Sequence, residues 1–144
     1  MRATLLFMVM MVCLFSGAWA EEPTAIIKTM QGQVDFQRSG QPVRLSPGDA
    51  LQLGDIIRTA DNGSVGITFL DGTRISLGPA SEMRLDAFRF TPIRKDYAFD
   101  VYMNKGSAAF SSGKMGKLAP EAVRFSTPNA TVGIRGTKFL VQVK

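Results

Sequence analysis

Histidine is absent from this chain of 144 residues, and cysteine occurs once, at Cys13. These two absences remove a large part of ordinary protein chemistry. The common zinc sites draw on Cys and His. A Ser-His-Asp nucleophile needs its imidazole. A thiol nucleophile has only Cys13 to use, and Cys13 sits inside an apolar N-terminal run. No disulfide can form within the chain, so an exported domain of this composition must hold itself by its core. Also missing after the first twenty residues is any sustained apolar repeat of 3.6 residues, the mark of an amphipathic helix.

What is present begins with an export signal. Arg2 supplies a positive start, Leu5 to Phe15 is an unbroken apolar run, and Ala18-Trp19-Ala20 follows with small residues at both ends. This pattern predicts a cleavable signal peptide over residues 1–20, and one β domain over residues 21–144. A retained anchor is the rival reading, but the run falls short of the ~20 residues that a spanning helix needs. Lipid attachment at Cys13 is disfavoured, because Met10-Met11-Val12 lacks the small residues of a lipoprotein signal. The expected location is periplasmic or secreted, with no stable membrane insertion after cleavage. The formal charge is +5, of which Arg2 contributes one unit. Such a balance suits nucleic acid, but export argues against that partner. It leaves room for anionic envelope surfaces such as cell-wall polymer or lipid headgroups.

The remainder reads as strands and turns. Ala25-Ile26-Ile27 and Gln33-Val34-Asp35-Phe36-Gln37 are strand candidates, and Ser39-Gly40-Gln41-Pro42 reads as a hairpin turn before Val43. Val65, Ile67 and Phe69 alternate with small or polar residues. Asp71-Gly72 then predicts a tight hairpin, because both residue types tolerate positive φ, and Ile75 and Leu77 alternate on the return. Met83, Leu85 and Ala87 form another alternating set, followed by a polar interruption from Thr91 to Asp96. Phe99, Val101 and Met103 come next, and Asn104-Lys105-Gly106 predicts a turn. Ser111 to Ala119 is the most loop-like stretch, and residues 120–123 allow one helical turn at most. Val123 and Phe125 begin a short strand stopped by Pro128-Asn129. The last strand places Phe139, Val141 and Val143 on one face, with Lys138, Leu140 and Gln142 on the other. Many short strands with Gly, Asp and Pro turns predict an all-β fold, an antiparallel β-sandwich or β-roll.

The ordered set of these pieces resembles the FecR domain family, over roughly Gly32 to Val143. Two Gly-Asp steps (Gly48-Asp49 and Gly54-Asp55) precede Ile57-Arg58-Thr59, and a strand leads to Asp71-Gly72-Thr73. Ser81 and Lys105-Gly106 match later family positions. Thr127-Pro128-Asn129-Ala130 resembles its T-P-x-A step, and Arg135-Gly136-Thr137 with Phe139 resembles its R-G-T-x-F step. The resemblance implies a bacterial, extracytoplasmic β domain of non-catalytic character. It marks Gly48, Asp49, Gly54, Asp55, Asp71, Gly72, Thr127, Pro128, Arg135, Gly136, Thr137 and Phe139 as structural motif residues. The larger relatives carry a cytoplasmic anti-sigma segment, a spanning helix and a receptor-meeting module. None of these is recognisable in the sequence, so their signalling role is not carried over.

Several residues invite a chemical reading. Asp49, Asp55, Asp61 and Asp71 suggest calcium, but a calcium loop needs several oxygens converging at close spacing. Here the acids fall singly beside Gly or Asn, which suits turn shaping through backbone N–H bonds. Glu82 and Asp86 share a strand face, yet the spacing alone does not make a glycosidase pair. Arg94, Lys95, Lys114 and Lys117 read as solvated loop cations. Phe88-Arg89-Phe90 is the nearest thing to an aromatic–cation cluster for single strands, and it stands alone. Arg135 between Gly133 and Gly136 has no partners for chemistry and is expected to pair with a turn aspartate. No catalytic residue, cofactor or metal is expected. The function expected is a protein-interaction, scaffold or accessory sensory module of the cell envelope, with an envelope protein or cell-wall polymer as partner. The alternative is a carbohydrate- or peptidoglycan-binding module. Exposed aromatics in a groove would favour the sugar, and an open apolar edge strand would favour a protein.

Overall fold

In the computed structural model of the protein, residues 23–144 apart from Arg135 are described. The expected signal segment and Arg135 therefore lie outside the described residues. The two-residue periodicity of the sequence is realised strand by strand. β1 (Ala25–Gln31) buries Ala25 and Ile27, and β2 (Val34–Arg38) buries Phe36. Ser39 and Gly40, at φ 52° and 76°, then turn the chain into β3 (Gln41–Val43), as a two-residue hairpin requires. β4 (Ala50–Leu51) and β5 (Ile56–Thr59) follow two further bends. β6 (Ser64–Phe69) buries Val65, Ile67 and Phe69, and β7 (Arg74–Leu77) buries Ile75 and Leu77 across the Asp71-Gly72 turn. Arg74, on the opposite face of β7, is exposed.

Two strands are longer than expected. β8 (Glu82–Thr91) pairs along its length with the Asp96–Lys105 part of β9 (Asp96–Ser111), the two joined by a 3-10 turn at Pro92–Arg94 within the polar interruption. Asn104-Lys105-Gly106 does not reverse the chain. β9 runs through it, and Gly106 takes φ 98°. The reason lies in the parity of the buried residues. Phe99, Val101 and Met103 point inward before Gly106, whereas Ala108 and Phe110 point inward after it. A left-handed glycine shifts the inward phase by one residue without ending the strand. The change of phase is also a change of neighbours. Before Gly106, β9 pairs with β8. After it, β9 pairs with β7.

Ser111 to Ala119 is not all loop. It holds a short helix, α1 (Lys114–Leu118), with Met115 fully buried. A single 3-10 turn follows at Pro120–Ala122. This connection returns the chain to the start of β9, so β10 (Val123–Ser126) pairs with β9 in parallel. Parallel neighbours need such a crossover, and every other pairing is antiparallel. β11 (Thr131–Gly133) pairs with β10, and β12 (Lys138–Val143) pairs with the second half of β9.

The twelve strands form one curled sheet in two leaves that share β9. One leaf runs β4-β1-β6-β7-β9-β12, and the other runs β3-β2-β5-β8-β9-β10-β11. The expected all-β antiparallel architecture is therefore present. A single apolar cluster lies between the leaves. Phe69 of one leaf lies 4.8 Å from Phe99, and Phe110 meets Phe125 edge-on at 6.5 Å. Full burial of side chains of this size contributes ~1.5–3 kcal/mol each, which allows the fold to stand without a disulfide.

Candidate functional site

The motif aspartates are built into bends. Asp55 is 1% exposed, and its carboxylate accepts from Arg38 Nε at 3.0 Å and Arg38 Nη2 at 2.8 Å. It also accepts the Gln52 N–H at 2.9 Å. The hydrogen bond to Asp55 raises the Arg38 guanidinium above its ordinary value, against the lowering effect of partial burial. Gly54, at φ 85°, donates its N–H to Leu85 C=O at 2.7 Å, which seats the bend on β8. Asp49 is exposed and accepts the Ser46 N–H at 2.8 Å, closing the bend that contains Gly48. Gly48 donates in turn to Ile27 C=O at 2.8 Å.

Asp71 is buried and reaches further. Its carboxylate accepts from Thr73 N–H at 3.0 Å, Thr73 Oγ1–H at 2.8 Å and Met115 N–H at 3.1 Å. One acid therefore shapes the hairpin at Gly72 and holds the first turn of α1 against it. A third polar knot lies where β9 changes leaf. Thr59 Oγ1 donates to Gly78 C=O at 2.6 Å and accepts the Ser81 N–H at 2.9 Å. Ser81 Oγ accepts the Ser107 N–H at 3.0 Å. A Cβ at Gly106 would overlap Ser81, so this position has room only for glycine.

The remaining motif residues lie near the C-terminal strands. Thr127 and Ala130 close the turn between β10 and β11, with Thr127 N–H donating to Ala130 C=O at 2.7 Å, and Pro128 is exposed on it. Gly136 has φ 100°, and Thr137 C=O accepts the Ser112 N–H at 2.8 Å. Phe139 is half-buried and stacks on Phe110 at 4.7 Å. The pairing expected of Arg135 lies outside the described residues, but Asp55 and Asp71 already have the partners given above.

The carboxylates weighed for catalysis are each engaged in an ion pair. Glu82 accepts from Arg58 Nε at 2.9 Å, and Asp86 pairs with Arg84. That hydrogen bond to Asp86 also raises the Arg84 guanidinium above its ordinary value. Arg84 lies over the Tyr102 ring at 4.9 Å. Phe88 packs on Phe69 at 5.6 Å, which takes it out of any nucleic-acid platform. Among the described residues no three His, Cys, Asp or Glu side chains gather as metal ligands. Arg94 and Lys95 sit at the exposed end of the β8–β9 hairpin, and Lys114 and Lys117 on the exposed side of α1.

What the structure does bring together is an opening between the ends of the two leaves. Among the described residues β12 pairs only with β9, and β11 only with β10. Between these two strands lies a groove of about 1020 Å³, lined chiefly by Val132, Ile134, Phe139 and Val141 with Arg124 and Glu121. Leu140, on the opposite face of β12, is 85% exposed. The sequence carries one trace of this feature: Leu140 is an apolar residue at a position whose neighbours on the same face, Lys138 and Gln142, are polar. Val132 and Ile134 carry none, because a three-residue strand has no readable periodicity.

A family model described as FecR protein matches residues 55–144. The matched region holds Asp55, Asp71, Gly72, the Thr127 turn and the whole β12 edge. It leaves out β1–β4 and also Gly48, Asp49 and Gly54 in the bends on either side of β4, three residues which the resemblance had included. No curated protein and no solved structure matches the chain.

Proposed function

The chain belongs to the FecR protein family, which is bacterial, envelope-associated and regulatory rather than enzymatic, and from this membership we propose that it is an exported, non-catalytic protein-interaction module of the cell envelope. In this role it serves as a scaffold or accessory sensor in the periplasm, or in the medium after secretion. Among the described residues no helix is long and apolar enough to cross a membrane. The observation that supports a protein partner is the open apolar edge of β12 with its groove. Among the described residues the large apolar side chains most exposed to solvent are Leu53, Leu70, Ile93, Leu118 and Leu140, and none of these is aromatic. A sugar site is floored by aromatic rings, whereas here most rings pack on one another in the core. Cross-linking of the tagged protein in intact envelopes, beside sedimentation with purified peptidoglycan, tests this reading. Discrete protein adducts without peptidoglycan co-sedimentation are expected. Saturable co-sedimentation without adducts would replace it with the polymer-binding alternative.

A further inference from the structure

Resting on that protein-binding reading, we propose that the free edge of β12 receives an extended, acidic-flanked segment of a partner protein by strand addition. Alternate apolar side chains of that segment fill the groove between β12 and β11.

The backbone identifies the occupant as a polypeptide. Thr137 C=O faces β9, where it accepts the Ser112 N–H. Antiparallel pairing alternates the direction of backbone groups residue by residue. The N–H and C=O groups of Lys138, Leu140 and Gln142 therefore face away from β9. They repeat every two residues, about 6.8 Å apart, which is the spacing of another strand. Other edges are poor receivers. β4 has two residues, β3 has three, one of them Pro42, and β11 has three, one of them Gly133. β12 has six residues without proline or glycine. Proline and very short length both blunt an edge, and β12 has neither; its guard is the lysines at its two ends, Lys138 and Lys144, which an acidic-flanked segment would neutralise.

The side chains specify the pattern. On the groove face, Phe139 and Val141 stand across from Val132 and Ile134, so an added strand needs apolar residues at every second position. On the other face, Leu140 is flanked by Lys138 and Gln142, with Lys144 beyond. Arg74 lies in the same cross-strand row as Ser111 and Lys138. Among the described residues none of Arg74, Lys138 and Lys144 forms an ion pair. Acids opposite Lys138 and Lys144, with an aliphatic residue opposite Leu140, complement this face. A second copy does not. Pairing β12 with itself about Val141 sets Lys138 against Lys144, and pairing about Leu140 joins two basic edges.

The test uses the mature protein and a labelled synthetic peptide, Asp-Val-Thr-Val-Leu-Val-Asp, which in antiparallel register sets its acids against Lys144 and Lys138 and its Leu against Leu140. Binding by fluorescence anisotropy is expected, with slowed hydrogen exchange at the Lys138, Leu140 and Gln142 amides. A peptide with Lys in place of both Asp residues is expected to bind about tenfold more weakly or worse. Leu140→Pro removes an outward N–H together with the exposed Leu side chain, both of which an edge strand can lose without unfolding, and is expected to lose binding. If that variant does not fold, Lys138→Glu with Lys144→Glu serves instead and should reverse the preference toward the Lys-flanked peptide. Equal peptide binding by wild type and Leu140→Pro overturns the proposal. So does protection of the three amides before any peptide is added, because the edge is then already covered. Envelope adducts retained in a folded Leu140→Pro variant overturn the edge but leave the protein-binding reading standing. Absence of adducts with wild type overturns that reading, whatever the peptide does.

Discussion

At the scale of the residue, two aspartates of the same type do different work because their surroundings differ. Asp55 is buried and receives a two-pronged guanidinium and a backbone N–H, while Asp49 is exposed and receives one N–H. Asp55 is the buried member of a half-buried ion pair, because Arg38 keeps part of its side chain in solvent, and exposed turn bonds are worth less still. Asp55→Asn is expected to lower unfolding free energy by about 2 kcal/mol, as for hydrogen bonds to a charged group and below the cost of a fully buried pair. Asp49→Ala is expected to cost about 1 kcal/mol. Urea denaturation of both variants checks the order, and neither melting curve should respond to EDTA. Equal losses would mean that Asp55 is not held by Arg38 in solution.

At the scale of the element, α1 and β12 depend on distant partners. α1 is only five residues long, far too short to persist alone. It is held by Met115 in the core and by its first turn on Asp71. Asp71→Ala is therefore expected to speed exchange of the Met115 amide by at least about tenfold, beyond any global loss of stability. Exchange at Met115 that follows global unfolding alone would show that α1 does not depend on this acid. β12 is also held by tertiary contact, since Phe139 stacks on Phe110 and meets Phe125 at 6.1 Å. Deleting residues 139–144 uncovers both rings and is expected to abolish cooperative thermal unfolding. A truncated protein with an unchanged melting temperature would show β12 to be dispensable.

At the scale of the whole molecule, the two leaves are coupled through one strand. β9 belongs to both, and Gly106 with Ser81 and Thr59 fixes the place where it passes from one to the other. Most pairings join strands distant in sequence, including β1 with β6, β2 with β5 and β12 with β9. Loop closure must precede the contacts that offset it, so folding is expected in the millisecond-to-second range. Stopped-flow refolding should show it, and a microsecond phase carrying most of the amplitude would contradict this topology.

The same scales separate what could be read in advance from what could not. Strands β1, β2, β6, β7, β10 and β12 were legible because alternation of apolar and polar residues is a local signal. The hairpin turns at Gly40 and Gly72 were legible because positive φ selects particular residues. The continuity of β9 was not, since Asn104-Lys105-Gly106 has turn composition, and only the shift of inward phase from Met103 to Ala108 reveals a strand crossing between leaves. α1 was hidden because its stabilising acid lies 44 residues away from Met115. The groove was hidden for a related reason, since β11 and β12 form its walls only after both leaves are laid on β9. By itself, then, the sequence determined the all-β class, the bends and the exclusion of chemistry that needs histidine, because each follows from residue type or short-range period. Which strands share an edge, which acid holds which turn and where the apolar surface stays open were decided by tertiary structure alone, because those relations join residues that the chain keeps far apart.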